Sequence, residues 1–154
     1  MPNSIQEYLA NVTPKAASDM VEALMRLPED KRNWSPGGTA RTALDQVAEC
    51  AILNRTTAQV IENRAFPADF DFAAFGKAKE ELAQDWDKLH ALLQDNTSYF
   101  IKTILAVPEE DLSVEVAMPW GPMTLSQMIS YPFWNMSYHE GQINYLASIL
   151  GCLD

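Results

Sequence analysis

One histidine in this sequence is flanked, at helical spacing, by side chains that could share a ligand with it. Toward the C-terminus Met128, Pro132, Asn135, His139, Gln142, Ile143, Leu146 and Leu150 recur at steps of three and four, embedding a polar trio in a stripe that should face a core. A neutral imidazole ligates divalent metals, but a lone core histidine with amide neighbours is also an ordinary hydrogen-bonded residue. A second ligand from another helix decides between these readings. The segment around residue 46 offers three candidates. Gln46 and Cys50 lie one turn apart along the edge of a small apolar stripe, while a step of about 100° per residue turns Glu49 largely to the other side. Glu49 is therefore the weakest inward ligand. A cysteine thiolate with an imidazole suits zinc, although such sites normally use three or four good ligands, and a buried, inert thiol fits the same pattern. Gln46 by itself also reads as a boundary glutamine. His90, next to Leu89, reads as a core or boundary residue.

Other chemistries lack their residues. The chain has no Gly-x-Ser-x-Gly elbow, P-loop, dinucleotide fingerprint or His-Glu-x-x-His pair. Thiol catalysis by Cys50 with His139 is open geometrically, and nothing in the sequence demands it. Eleven Lys and Arg against 21 Asp and Glu leave a net charge of -10, a poor surface for a polyanion, so neither nucleic acid nor an anionic membrane is expected as a partner. The two cysteines, Cys50 and Cys152, form no disulfide framework, and no export signal is visible at the N-terminus, so a reducing, cytoplasmic setting is expected. The uncharged window from Val116 to Tyr138 is long enough to span a bilayer, but Pro119, Gly121, Pro122 and Pro132 interrupt it.

These residues have to be positioned by helices. The 154 residues suit one domain, 1–154, and no internal repeat is apparent. Ser4-Ile5-Gln6-Glu7 opens a first helix that runs to about Leu27, with Pro14 as a kink or restart. A second spans about Thr39 to Asn63, and a third runs as one long helix from about Phe72 to Leu105. Ser113 to Val116 alternates like a strand before the Trp120-Gly121 turn, predicting a small hairpin. Thr124-Leu125-Ser126-Gln127 then caps a last helix that continues to Leu150. The fold class is all-α, a four-helix bundle with a β hairpin between the third and last helices.

Three local signatures coincide on this layout: Trp34-Ser35-Pro36 before the second helix, Pro119-Trp120-Gly121 before the last, and Tyr138-His139-Glu140-Gly141-Gln142-Ile143 followed by Leu150-Gly151. With them the sequence resembles the DinB/YfiT-like superfamily of bacterial four-helix proteins across nearly its whole length. The resemblance implies an up-down-down-up bundle, with residues 62–71 travelling back along it. It also implies a divalent metal, zinc or nickel, held by one histidine of the second helix and two of the last. In members with assigned activities it implies transfer or isomerisation dependent on a thiol cofactor. Carried over by position, His139 takes the second ligand place of the last helix, Asn135 stands at the first, and Glu140 replaces the usual arginine. The family's Leu-x-His-Leu-Ala laid on Leu44-Asp45-Gln46-Val47-Ala48 puts Gln46 at the remaining place, with Cys50 as the alternative. One histidine of three is retained, so metal is expected to be weakly held or absent.

Three functional classes fit this reading. The first is a metal-dependent thiol transferase-type enzyme with a weakened or lost site. The second is a metal-free module that binds a small molecule, with Gln46, Cys50, Asn54, Asn135, His139 and Gln142 around its pocket. The third is a structural bundle. From Val116 to Leu153 the only charged side chain is Glu140, while Tyr131, Phe133, Trp134, Met136, Tyr138, Tyr145 and Ile149 lie off the inward stripe. That composition, and the family's habit of pairing through bundle helices, predict a homodimer through the last helix.

Overall fold

In a computed structural model, which describes residues 4–153, each helix starts where the sequence offers a side-chain acceptor to otherwise free amides. Ser4 caps α1 (Ile5–Arg26), Thr42 caps α2 (Ala43–Asn63), and Asp71 caps α3 (Phe72–Leu82). Asp85 caps α4 (Trp86–Leu105), and Thr124 caps α5 (Leu125–Ile149) with a full capping box in which Gln127 reaches back to the Thr124 amide. Pro14 lies inside α1 without ending it. Two short strands, β1 (Glu115–Val116) and β2 (Met123–Thr124), pair antiparallel between α4 and α5, giving the expected hairpin. Among the described residues no helix is long and apolar enough to cross a membrane.

Contacts between helices fix their directions. Asn96 Nδ2 donates to the Ala51 carbonyl at 2.7 Å, Asn54 Nδ2 to Thr97 Oγ1 at 3.0 Å, and Thr103 Oγ1 to Glu62 Oε1 at 2.8 Å. Residue numbers rise together along α2 and α4, so these neighbours are parallel. Along α2 and α5 they run oppositely, with Gln46 beside His139 and Cys50 beside Asn135. α1 runs with α5: Leu9 shares a core with Leu125 and Met128, and Arg26 bonds Asn144. The bundle is therefore up-down-down-up.

One expectation is corrected. The stretch from Phe72 to Leu105 is two helices, and the return between parallel neighbours is made by residues 64–71 together with α3. α3 climbs roughly 16 Å at about 1.5 Å per residue, from Phe70 and Phe72 near the end of α2 to Lys79, whose Nζ lies 3.2 Å from Asp45 Oδ1 at the start of α2. Only Leu82 of α3 is buried. The apolar spacing continues across the break, but the Asp85 carboxylate accepts the Lys88 amide and starts a new helix in the opposite direction.

A second correction concerns repeats, because the two halves of the bundle are copies of one unit. α1 runs out at Leu27-Pro28-Glu29 and α4 at Val107-Pro108-Glu109, each followed by one 3-10 turn, Glu29–Lys31 and Glu109–Asp111. The backbone bonds correspond. Leu27 N to Leu24 O matches Val107 N to Ile104 O, and Trp34 N to Lys31 O matches Val114 N to Asp111 O. Leu44 N to Arg32 O matches Ser126 N to Leu112 O, and a threonine then caps the next helix in both. The core divides in the same way. One cluster joins the second half of α1, the start of α2, the start of α4 and the end of α5; exchanging α1 with α4 and α2 with α5 turns it into the other. The shift that carries Thr42 onto Thr124 carries Asn54 onto Met136, and these two touch, Nδ2 to Sδ at 3.5 Å. An approximate two-fold axis thus passes through the crossing of α2 and α5.

Equivalent caps should contribute equally. Thr42→Ala and Thr124→Ala are each expected to lower stability by about 1 kcal/mol, read as similar shifts of the urea midpoint at unchanged m-value.

Candidate functional site

His139 is buried in the middle of α5, 3% exposed, and three side chains are gathered on its ring. Gln46 Oε1 lies 2.7 Å and Gln142 Oε1 3.0 Å from Nδ1, and Glu49 Oε1 lies 3.1 Å from Nε2. The amides are oriented by their own donors, since Gln46 Nε2 points to the Arg41 carbonyl and Gln142 Nε2 donates to the Tyr138 hydroxyl. All three atoms facing the ring are therefore acceptors. Both ring nitrogens thus face oxygen atoms, one of them a carboxylate.

Glu49 anchors this pair to a chain of charges. Its Oε2 lies 2.6 Å from an Arg41 guanidinium nitrogen, Arg41 Nε meets Asp45 Oδ2 at 2.5 Å, and Lys79 closes on the other oxygen of Asp45. The run Lys79, Asp45, Arg41, Glu49, His139 ties α3, α2 and α5 together. Burial works to raise the Glu49 pKa, but the hydrogen bond with His139 and the charge of Arg41 outweigh it and hold the carboxyl at about 2. Burial likewise opposes the Arg41 charge, and Asp45 and Glu49 keep its pKa above the ordinary value.

The expected ligands are distributed as follows. Gln46 meets His139 directly. One layer away, Asn135 Nδ2 donates to Cys50 Sγ at 3.5 Å, and burial pushes the Cys50 thiol far up, so it stays protonated. Asn54 is turned toward α4 and bonds Thr97. His90 stacks on Trp86 with ring centroids 5.0 Å apart. The side chain expected to face away, Glu49, is the one carboxylate that reaches His139. Its Cα does lie off the apolar stripe, but two further methylenes carry the carboxylate back toward Arg41, which precedes the Thr42 cap. The cationic residue just before the helix was the available signal. Among the described residues no three His, Cys, Asp or Glu side chains form a group that could hold a metal. The donor set fits a divalent ion poorly: both His139 nitrogens face acceptors, Asn135 presents its NH2 group to sulfur, and Cys50 is a thiol.

Two clefts flank this layer. One, of about 430 Å³, opens on the network and is lined by Arg41, Gln46, Tyr138, Gln142 and Tyr145. The other, of about 390 Å³, lies between α2, the hairpin and the start of α5; it is apolar and lined by Leu53, Thr57, Met118, Trp120, Met128 and Tyr131 among others.

No protein-family model matches this chain, and no curated protein sequence does. Solved structures do match it. YfiT from Bacillus subtilis, called "a probable metal-dependent hydrolase with an unusual four-helix bundle topology", superposes with a TM-score of 0.81 at 13% identity, covering 98% of this chain and 90% of its own. A DinB-like protein, YjoA, from the same organism gives 0.67 at 14% identity, over 94% and 92% of the two chains. The mycothiol-dependent maleylpyruvate isomerase gives 0.69 at 14%, over 92% of this chain and 61% of its own. The chain has the DinB-like four-helix bundle fold.

The ionised Glu49 leads to a pH prediction. Its pKa is about 2 in the folded protein against an ordinary 4.5, so its stabilisation is complete above pH 4.5 and is lost as pH falls toward 2. Glu49→Gln should flatten that limb of a denaturation-midpoint profile and leave the rest of its shape unchanged.

Proposed function

We propose that this chain is a metal-independent, DinB-like bundle that binds a small molecule, in which the Glu49–His139 pair and Gln46 stand where the family resemblance implies a metal. The observation that carries the reading is the ring of acceptors on His139: Gln46, Gln142 and Glu49 engage both nitrogens, so each is already committed to a side chain of the protein. The same fold in an isomerase named for mycothiol, and in a protein described as metal-dependent, supports the competing view of a thiol transferase-type enzyme with zinc or nickel on Gln46 or Cys50, Asn135 and His139.

Metal content separates the two. Protein purified without chelator should carry well under one zinc or nickel per chain, and zinc titrated calorimetrically should give no stoichiometric transition. His139→Ala should then lower stability by about 2 kcal/mol or more, because it strips the buried Glu49 carboxylate of a hydrogen-bond partner, without altering metal content. Stoichiometric zinc lost in that variant would establish the enzyme reading.

The same bundle is proposed to pair through α5. Trp134 stacks on Tyr138 at 5.4 Å, both are about half exposed, and Tyr145 is 69% exposed on the same helix, in which Glu140 is the one carboxylate. Apolar aromatic surface of this kind is what interfaces enrich. Sedimentation at micromolar concentration should give twice the 17.2 kDa chain mass, and Trp134→Glu with Tyr145→Glu should return the monomer.

A further inference from the structure

The internal two-fold relates the two clefts to each other. The shift that carries Thr42 onto Thr124 carries Gln46 onto Met128, Glu49 onto Tyr131, Leu53 onto Asn135 and Thr57 onto His139. The apolar cavity thus shares backbone positions with the cleft beside His139, Met123 standing for Arg41, Met128 for Gln46, Thr56 for Tyr138 and Val60 for Gln142, and the charged positions Arg41, Glu49 and His139 become Met123, Tyr131 and Thr57. The geometry points to this cavity as a second binding site of the duplicated fold, one that takes a neutral aromatic molecule bearing a single hydrogen-bonding group, held through Tyr131. The assignment rests on the reading of a ligand-binding bundle and names the cavity and the ligand class.

Size comes first. About 390 Å³ lies near the lower end of the roughly 300–1,000 Å³ range of small-molecule pockets. The lining supplies the class. Met118, Met123 and Met128 present polarizable thioethers that adapt to flat aromatic faces, and Phe66 and Trp120 meet edge to face at 5.8 Å across the mouth. Charge excludes the rest. None of the lining side chains is charged, so a buried ion of either sign would be uncompensated. Burial and then Glu49 and Cys50 push the Tyr131 pKa up to about 12, so the phenol is a neutral donor. The polar handle is specific, because no hydrogen bond engages the hydroxyls of Tyr131 or Thr57 among the described residues, whereas Thr56 is bonded to the Ile52 carbonyl.

The test is calorimetric titration of the full chain with 1-naphthol and with 1-naphthoate, its anionic counterpart. Naphthol should bind at least tenfold more tightly than naphthoate. Thr57→Phe, which fills the cavity, should weaken naphthol at least tenfold, and Tyr131→Phe should weaken it severalfold at unchanged volume. Tyr131→Phe keeps the test decisive where Thr57→Phe perturbs folding. Absent naphthol binding, equal binding of the two probes, or binding that Tyr131→Phe leaves unchanged would overturn the assignment. None of these bears on metal independence, which fails only on stoichiometric zinc.

Discussion

Two neighbouring helices that run the same way cannot be joined by a short turn, and the parallel pairing of α2 with α4 places that constraint on the whole chain. The chain must climb back beside α2 before α4 can start. α3 meets the requirement cheaply because it needs little core of its own: it is fastened at its upper end by Leu82 and by the Lys79 pair with Asp45. Parallel pairing is itself the consequence of docking two copies of one helix–turn–helix unit about a two-fold axis. The axis also dictates that whatever cleft forms beside α2 and α5 on one side forms again on the other.

The two clefts then diverged in chemistry on common geometry. At the His139 end a carboxylate and an imidazole are withdrawn from water together, an arrangement that survives only when every acceptor and donor is met. Arg41 and two glutamine amides meet them. At the other end the equivalent positions hold Tyr131, Met128 and Thr57, which carry no charge to compensate and leave open space. A buried pair that lost one partner would leave an uncompensated charge, and at the equivalent positions neither Tyr131 nor Thr57 carries one.

How much of this was legible in the sequence depended on range. Caps at Ser4 and Thr124 and the stripe through Asn135 and His139 are local patterns, and they located the first and last helices and the central histidine. The up-down-down-up order was not in those patterns; it came with the resemblance to a family, and the register of Asn96 on Ala51 and Asn54 on Thr97 bears it out. The break at Asp85 was obscured because α3 and α4 share an apolar period, and only the chain's need to reverse direction distinguishes one helix from two. Glu49 was misplaced because the helical step describes Cα and Cβ, whereas a glutamate's carboxylate goes to its nearest cation. The duplication escaped notice because its copies agree in turn geometry and burial, with little agreement in side-chain identity beyond Pro28-Glu29 and Pro108-Glu109.

The duplication also explains why the two clefts are electrostatically linked. Glu49 and Tyr131 are equivalent positions that approach the α2–α5 crossing from opposite sides, with Cys50 and Asn135 between them. The charge on Glu49 is felt at the Tyr131 phenol. Burial first, and then the charge on Glu49, push the Tyr131 phenol further above its ordinary value. The two clefts thus share one pair of helices, and the residues at equivalent positions give one a charged and the other a neutral hydrogen-bonding character.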